Sequence, residues 1–74
     1  MAYQKNAKME ALLKEVYEAE ARIGYPAIQM MSDYLCTRDP SYITASGDAR
    51  KRIGAYDPDE IITELLRAYL GQEK

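Results

Sequence analysis

An all-α fold, a small bundle of about four to five short helices, is predicted for this chain by three observations. Apolar residues recur at spacings of three and four in long runs on either side of the middle of the sequence. Glycines and Asp-Pro pairs stand where those runs start and stop. Nowhere do apolar and polar residues alternate as they do in a half-buried strand. At 74 residues the chain is read as a single helical domain, 1–74, whose residues 1–5 lack periodicity and are expected to fray.

The first helix follows Asn6, a residue type whose side chain caps free helix N–H groups. From Ala7 onward Met9, Leu12, Leu13, Val16 and Ile23 form an apolar stripe, with Glu10, Lys14, Glu15, Glu18 and Arg22 mostly off it. Gly24 is placed to end this helix with a left-handed backbone. Pro26 then opens a second helix at its first position, with Ile28, Met31, Tyr34 and Leu35 on one face. That helix is apolar nearly all round and is expected to be central. Cys36 is expected to end it as a small buried hydrophobe, because the chain has no histidine to activate a thiol and no second cysteine.

Residues 39–50 are the stretch around which the rest is expected to be arranged. Asp39-Pro40 is an N-cap followed by a residue with no N–H to leave unpaired, which predicts one short helical turn. Tyr42 and Ile43 are the pegs that would hold the stretch against the longer helices. Ser46 is read as the cap of a short third helix over residues 47–53, mostly charged and therefore largely exposed. Asp57-Pro58-Asp59-Glu60 is the clearest start signal in the chain, with Asp57 as N-cap and Glu60 positioned for a capping box. Ile61, Ile62, Leu65, Leu66, Tyr69 and Leu70 then give the last helix a wide apolar face up to Gly71.

Composition narrows the function classes. A hydrophobic fraction of 47% is high for so short a chain, and neither a disulfide nor a Cys/His zinc site is available to staple it. A homodimer is the expected way to bury the excess. A net charge of −2 argues against a general nucleic-acid binder, which needs a basic surface. No apolar run approaches the roughly 18 residues of a membrane span, and the start Met-Ala-Tyr-Gln-Lys-Asn has no signal-peptide core, so a cytoplasmic protein is expected.

Catalytic patterns are missing. The chain lacks histidine, its four glycines are isolated, and Asp57, Asp59 and Glu60 are more economically capping residues than metal ligands. The expectation is a protein that is not an enzyme and uses no cofactor or metal. Charge, however, is unevenly spread. Residues 38–56 carry four basic and two acidic side chains, and residues 57–74 carry five acidic and two basic ones. Two readings follow: a solvated face paired with its neighbours, or a docking surface for an acidic partner or phosphate made by Arg50, Lys51 and Arg52.

The stretches Val16-Tyr17-Glu18-Ala19, Gly24-Tyr25, Tyr34-Leu35, Asp39-Pro40-Ser41-Tyr42-Ile43, Asp48-Ala49-Arg50, Asp59-Glu60, Glu64-Leu65 and Tyr69-Leu70 resemble the IreB family of small regulatory phosphoproteins, also called ReoM. Order and spacing hold from Val16 to Leu70. The resemblance implies a non-catalytic helical homodimer in the cytoplasm of Gram-positive bacteria, acting beneath a membrane Ser/Thr kinase with PASTA domains. It also implies tuning of peptidoglycan synthesis and cephalosporin tolerance, in part through Clp-dependent degradation of the pathway's first committed enzyme, with the kinase and Clp adaptor components as partners.

Two segments depart from the family pattern. Family members are phosphorylated on threonine in the amino-terminal tail, but this chain has no Ser or Thr before Ser32. Where the family reads Asn-Pro-Ile-Asn-Gln after Gly-Tyr, this chain has Pro-Ala-Ile-Gln-Met. Thr44 and Ser46, in the loop before the basic helix, are the nearest substitute phosphate acceptors. The alternative to the family role is a small helical adaptor or antitoxin-like module unrelated to kinase signalling.

Overall fold

The computed structural model describes residues 3–73. Four α-helices follow one another: α1 (Ala7–Arg22), α2 (Ala27–Thr37), α3 (Ala49–Ile53) and α4 (Pro58–Leu70), with 3-10 turns at Pro40–Tyr42 and Ser46–Asp48 between α2 and α3. The all-α expectation holds.

The boundaries have local causes. Asn6 caps α1 by accepting the Met9 N–H at 3.1 Å. At the other end Gly24 adopts φ 82°, and the N–H groups of Gly24 and Tyr25 return to the carbonyls of Ala21 and Glu20 at 3.0 and 3.1 Å. This is the paired closure that a glycine just past a helix permits. At the start of α4 both halves of the capping box are formed: Asp57 accepts the Asp59 N–H at 2.9 Å, and Glu60 accepts the Asp57 N–H at 3.2 Å.

Several details differ from the sequence expectation. Pro26, expected as the first helical residue, is the N-cap of α2, so the helix starts at Ala27, one position later than expected. α2 ends at Thr37, and Arg38 takes the left-handed conformation with its N–H on the Tyr34 carbonyl at 2.7 Å. Cys36, expected to be buried, is exposed, because the core face of α2 is defined by Ala27 and Tyr34. α3 begins at Ala49, two residues late: Gly47 and Asp48 both have φ near +60°, a conformation no right-handed helix can include. Ser46 is accordingly not a helix cap. Its N–H instead donates to the Thr44 hydroxyl at 3.1 Å.

One core joins the elements. Met9, Leu12 and Val16 from α1, Tyr34 from α2, Ile43 from the connecting stretch, Ala49 and Ile53 from α3, and Ile61 from α4 form a buried cluster, with Tyr42 packed partly buried against it. Ile43 is completely buried, so one of the two expected pegs is a core residue and the other lies at its edge. α2 packs on both α1 and α4, as expected of it, but it buries only Ala27 and Tyr34 and is not the central helix its composition suggests. Residues 1 and 2 of the segment expected to fray lie outside the described residues. Tyr3, Gln4 and Lys5 make polar contacts with Glu64, Glu73 and Glu10.

Candidate functional site: a basic loop-helix and an apolar groove

The stretch between α2 and α3 is held from two sides. On one, Glu20, in the penultimate part of α1 and fully buried, accepts the Thr44 N–H with Oε1 at 2.5 Å. On the other, Arg50 Nε of α3 donates to the Ile43 carbonyl at 2.9 Å. The single Ile43–Thr44 peptide group is thus bonded at its N–H to a carboxylate oxygen of α1 and at its carbonyl to a guanidinium of α3, which fixes the loop on which Thr44 and Ser46 lie.

The three basic residues of α3 have different situations. Arg50 is committed through Nε to the loop. Arg52 is paired with Glu15 on α1, which raises its already high pKa further, mainly through the hydrogen bond. Lys51 is exposed and makes no ion pair among the described residues. The reading of a solvated face paired with its neighbours therefore describes Arg52, while Lys51 and the outer edge of Arg50 are left exposed. Arg38 extends the pattern, bridging Asp57 at 3.4 Å and Asp59 at 2.9 Å across the start of α4.

Thr44 and Ser46 lie close together, but neither hydroxyl stands at a helix start. The Thr44 hydroxyl accepts the Ser46 N–H, and the Thr44 backbone is tied to Glu20. Glu20 was not singled out by the sequence reading. The signal was present: Glu20 falls four residues after Val16 and three before Ile23, on the apolar stripe itself. A charge on a stripe is paired far more often than it is solvated.

The second surface is apolar. A groove of about 690 Å³ runs between α1, α2 and α4, lined by Leu13, Tyr17, Ile28, Met31, Leu35 and Leu65 among others. Lys5, Glu10, Lys14 and Glu64 also border it, and Ile28 is 71% exposed. Along α4 the apolar surface continues through Leu66, Tyr69 and Leu70, with Tyr69 90% exposed. The wide face that the sequence assigns to this helix is thus only partly used by the chain's own core: Ile61 is buried, and the residues beyond it face outward. Tyr34 is a core tyrosine, while Tyr17, Tyr25 and Tyr69 are exposed.

At one end of the groove Tyr3 donates its phenolic proton to Glu64 of α4, a contact that raises the phenol's pKa above its ordinary value. Among the described residues no group of three or more Cys, His, Asp or Glu side chains is arranged to hold a metal ion. No helix among them is long and apolar enough to cross a membrane.

Fold and surfaces together define a small all-α protein with two outward features, an apolar groove beside exposed apolar residues of α4, and a short basic helix on a braced loop. The family comparison is consistent with that class and sharpens it. The family model described as IreB regulatory phosphoprotein matches residues 1–71, and the chain belongs to that family. The resemblance read from the motifs between Val16 and Leu70 is therefore correct.

Proposed function

We propose that this protein is a non-catalytic cytoplasmic regulator that acts by binding other proteins, modulating peptidoglycan synthesis and cephalosporin tolerance downstream of a PASTA Ser/Thr kinase. The observation that carries this reading is the family match over residues 1–71. The surfaces support it. Lys51 and Arg50, beside the loop that bears Thr44 and Ser46, suit an acidic or phosphate-bearing partner such as a Clp adaptor component. Retention of Clp adaptor components or of the enolpyruvyl transferase by immobilised protein from a Gram-positive lysate tests the proposal. The expected result is that Lys51→Glu loses them, and their absence from the wild-type eluate counts against the family role.

The same proposal includes a homodimer. A groove lined by apolar side chains takes an apolar helix ridge, and α4 presents one at Leu66, Tyr69 and Leu70. Groove and ridge on one chain are what a two-fold interface requires, since each subunit gives to its partner the surface it receives. A second reading, an adaptor or antitoxin-like module outside kinase signalling, is favoured by one feature, the lack of Ser or Thr before Ser32.

A further inference from the structure

α1 and α4 flank α2, and their backbones approach each other closely at few points. Across that gap runs the segment before α1. Tyr3 donates to Glu64 in the middle of α4, and the same phenolic oxygen accepts the N–H of Asn6, the α1 cap, at 3.4 Å. The Gln4 N–H reaches the carboxylate of Glu73, beyond the end of α4, at 3.3 Å. Lys5 turns the other way, to Glu10 of α1 at 3.0 Å. Tyr3 and Gln4 are thus tied to α4 and the residues beyond it, Lys5 is tied to α1, and Tyr3, Lys5 and Asn6 themselves line the groove.

We propose that residues 3–5 are a strap that closes the α1–α4 end of the apolar groove, latched by the Tyr3 phenol on Glu64, and that a second copy of the chain entering the groove must first release it. The proposal rests on the self-association reading above and adds its control. Its physical basis is an asymmetry. The strap is held by a few polar contacts at a partly exposed site, where water competes for every donor and acceptor. What would displace it is the burial of exposed apolar side chains such as Ile28, Leu65 and Tyr69, which water does not oppose. α1 does not depend on the strap for its start, because the Asn6 side chain caps it independently. The latch can therefore open without unwinding a helix.

Three proteins test this: the wild type, Tyr3→Phe, which keeps the ring and loses the donor, and Glu64→Gln, which keeps an acceptor for the phenol. Sedimentation equilibrium over a range of concentrations reads the dimer constant, and titration with 1-anilinonaphthalene-8-sulfonate reads access to the groove. The expected result is dimerisation several-fold tighter for Tyr3→Phe than for wild type, with Glu64→Gln close to wild type. Tyr3→Phe dimerising equally or more weakly would overturn the strap, the latter by showing that the segment belongs to the interface. Should all three remain monomeric, self-association fails on its own account and the dye decides. Several-fold tighter dye binding by Tyr3→Phe sustains the strap, and equal binding overturns it.

Discussion

Glu20 and Thr44 are joined across 24 positions of sequence by a 2.5 Å hydrogen bond from the Thr44 N–H to a carboxylate oxygen that is fully buried. The other oxygen of Glu20 is buried without a protein partner. A carboxyl group is costly to bury, and it persists here because it satisfies a backbone donor in a stretch with little regular structure of its own. Ile43, next to Thr44, is a central core residue, so the bond also sets how deeply that peg is driven.

Removing the carboxylate should therefore loosen the whole 39–50 stretch. Glu20→Ala is expected to cost on the order of 2 kcal/mol, through an unsatisfied buried N–H and the space left behind. Glu20→Gln, which still offers an oxygen to Thr44, should cost less. Urea denaturation of both variants against wild type checks the order, and equal stability of all three would show that the bond carries no net energy.

The start of α4 gives a second, independent measurement. Asp57 caps this helix, completes the box with Glu60 and receives Arg38 at 3.4 Å. Asp57→Ala is expected to lower stability by about 1 kcal/mol, nearly all from the lost cap. Asp59→Asn, which keeps the cap and removes only an exposed charge that pairs with Arg38 and faces the helix N-terminus, should change it by less than about 0.5 kcal/mol. Thermal melts of the two variants separate capping from surface pairing.

The helices and their ends were legible in the sequence because their causes are local. Asn6 and Asp57 cap by reaching two or three residues along the chain, and Gly24 ends α1 through its own backbone. α3 was misplaced by two residues because Gly47 and Asp48 are left-handed, and Asp48 is a residue type that local sequence does not force into that state. What was least legible was the bracing of the loop. Arg50 reads as a free basic side chain, and Glu20, although its place on the apolar stripe marks it, names no partner in the sequence. Each acquires its structural role only when α1 and α3 pack together. Cys36 failed for the related reason that an apolar helix has no sequence mark for the side its neighbours leave open.

Because Arg50 holds the Ile43 carbonyl, the three basic residues of α3 should separate under charge reversal. Arg50→Glu is expected to destabilise by about 1–2 kcal/mol. Arg52→Glu, which breaks an exposed pair with Glu15, should destabilise less than Arg50→Glu. Lys51→Glu should leave stability unchanged within about 0.5 kcal/mol and is the variant in which any loss of partner binding reports on the surface itself. Chemical denaturation alongside the pull-down assigns each effect.

Self-association is expected to depend on side chains that the isolated chain leaves in water. Light scattering of the wild type at micromolar concentration should approach twice 8.4 kDa. Ile28→Glu places a charge on a residue that is 71% exposed in the single chain, so it should leave the fold intact while abolishing the dimer. A wild type that stays monomeric and unfolds cooperatively at high temperature would remove the case for a dimer.

The position of Thr44 and Ser46 leads to an expectation about phosphorylation. A kinase takes its acceptor in an extended, accessible segment, but here the Thr44 backbone is tied to Glu20, its hydroxyl is engaged by the Ser46 N–H, and the stretch ahead of it is anchored by Ile43. Transfer at either residue requires that the loop first open locally, so the rate should follow the population of the open form. A PASTA-type Ser/Thr kinase is therefore expected to phosphorylate the wild-type protein slowly or not at all, and any phosphate should map to Thr44 or Ser46. Glu20→Ala, by releasing the Thr44 N–H, should be modified faster at those positions, and the added dianion would then lie beside Arg50 and Lys51, where it finds donors. Intact-mass analysis over time, followed by fragment mapping, measures both statements. Rapid stoichiometric modification elsewhere in the wild type, or a Glu20→Ala rate no higher than wild type, would show that the braced loop does not control the site.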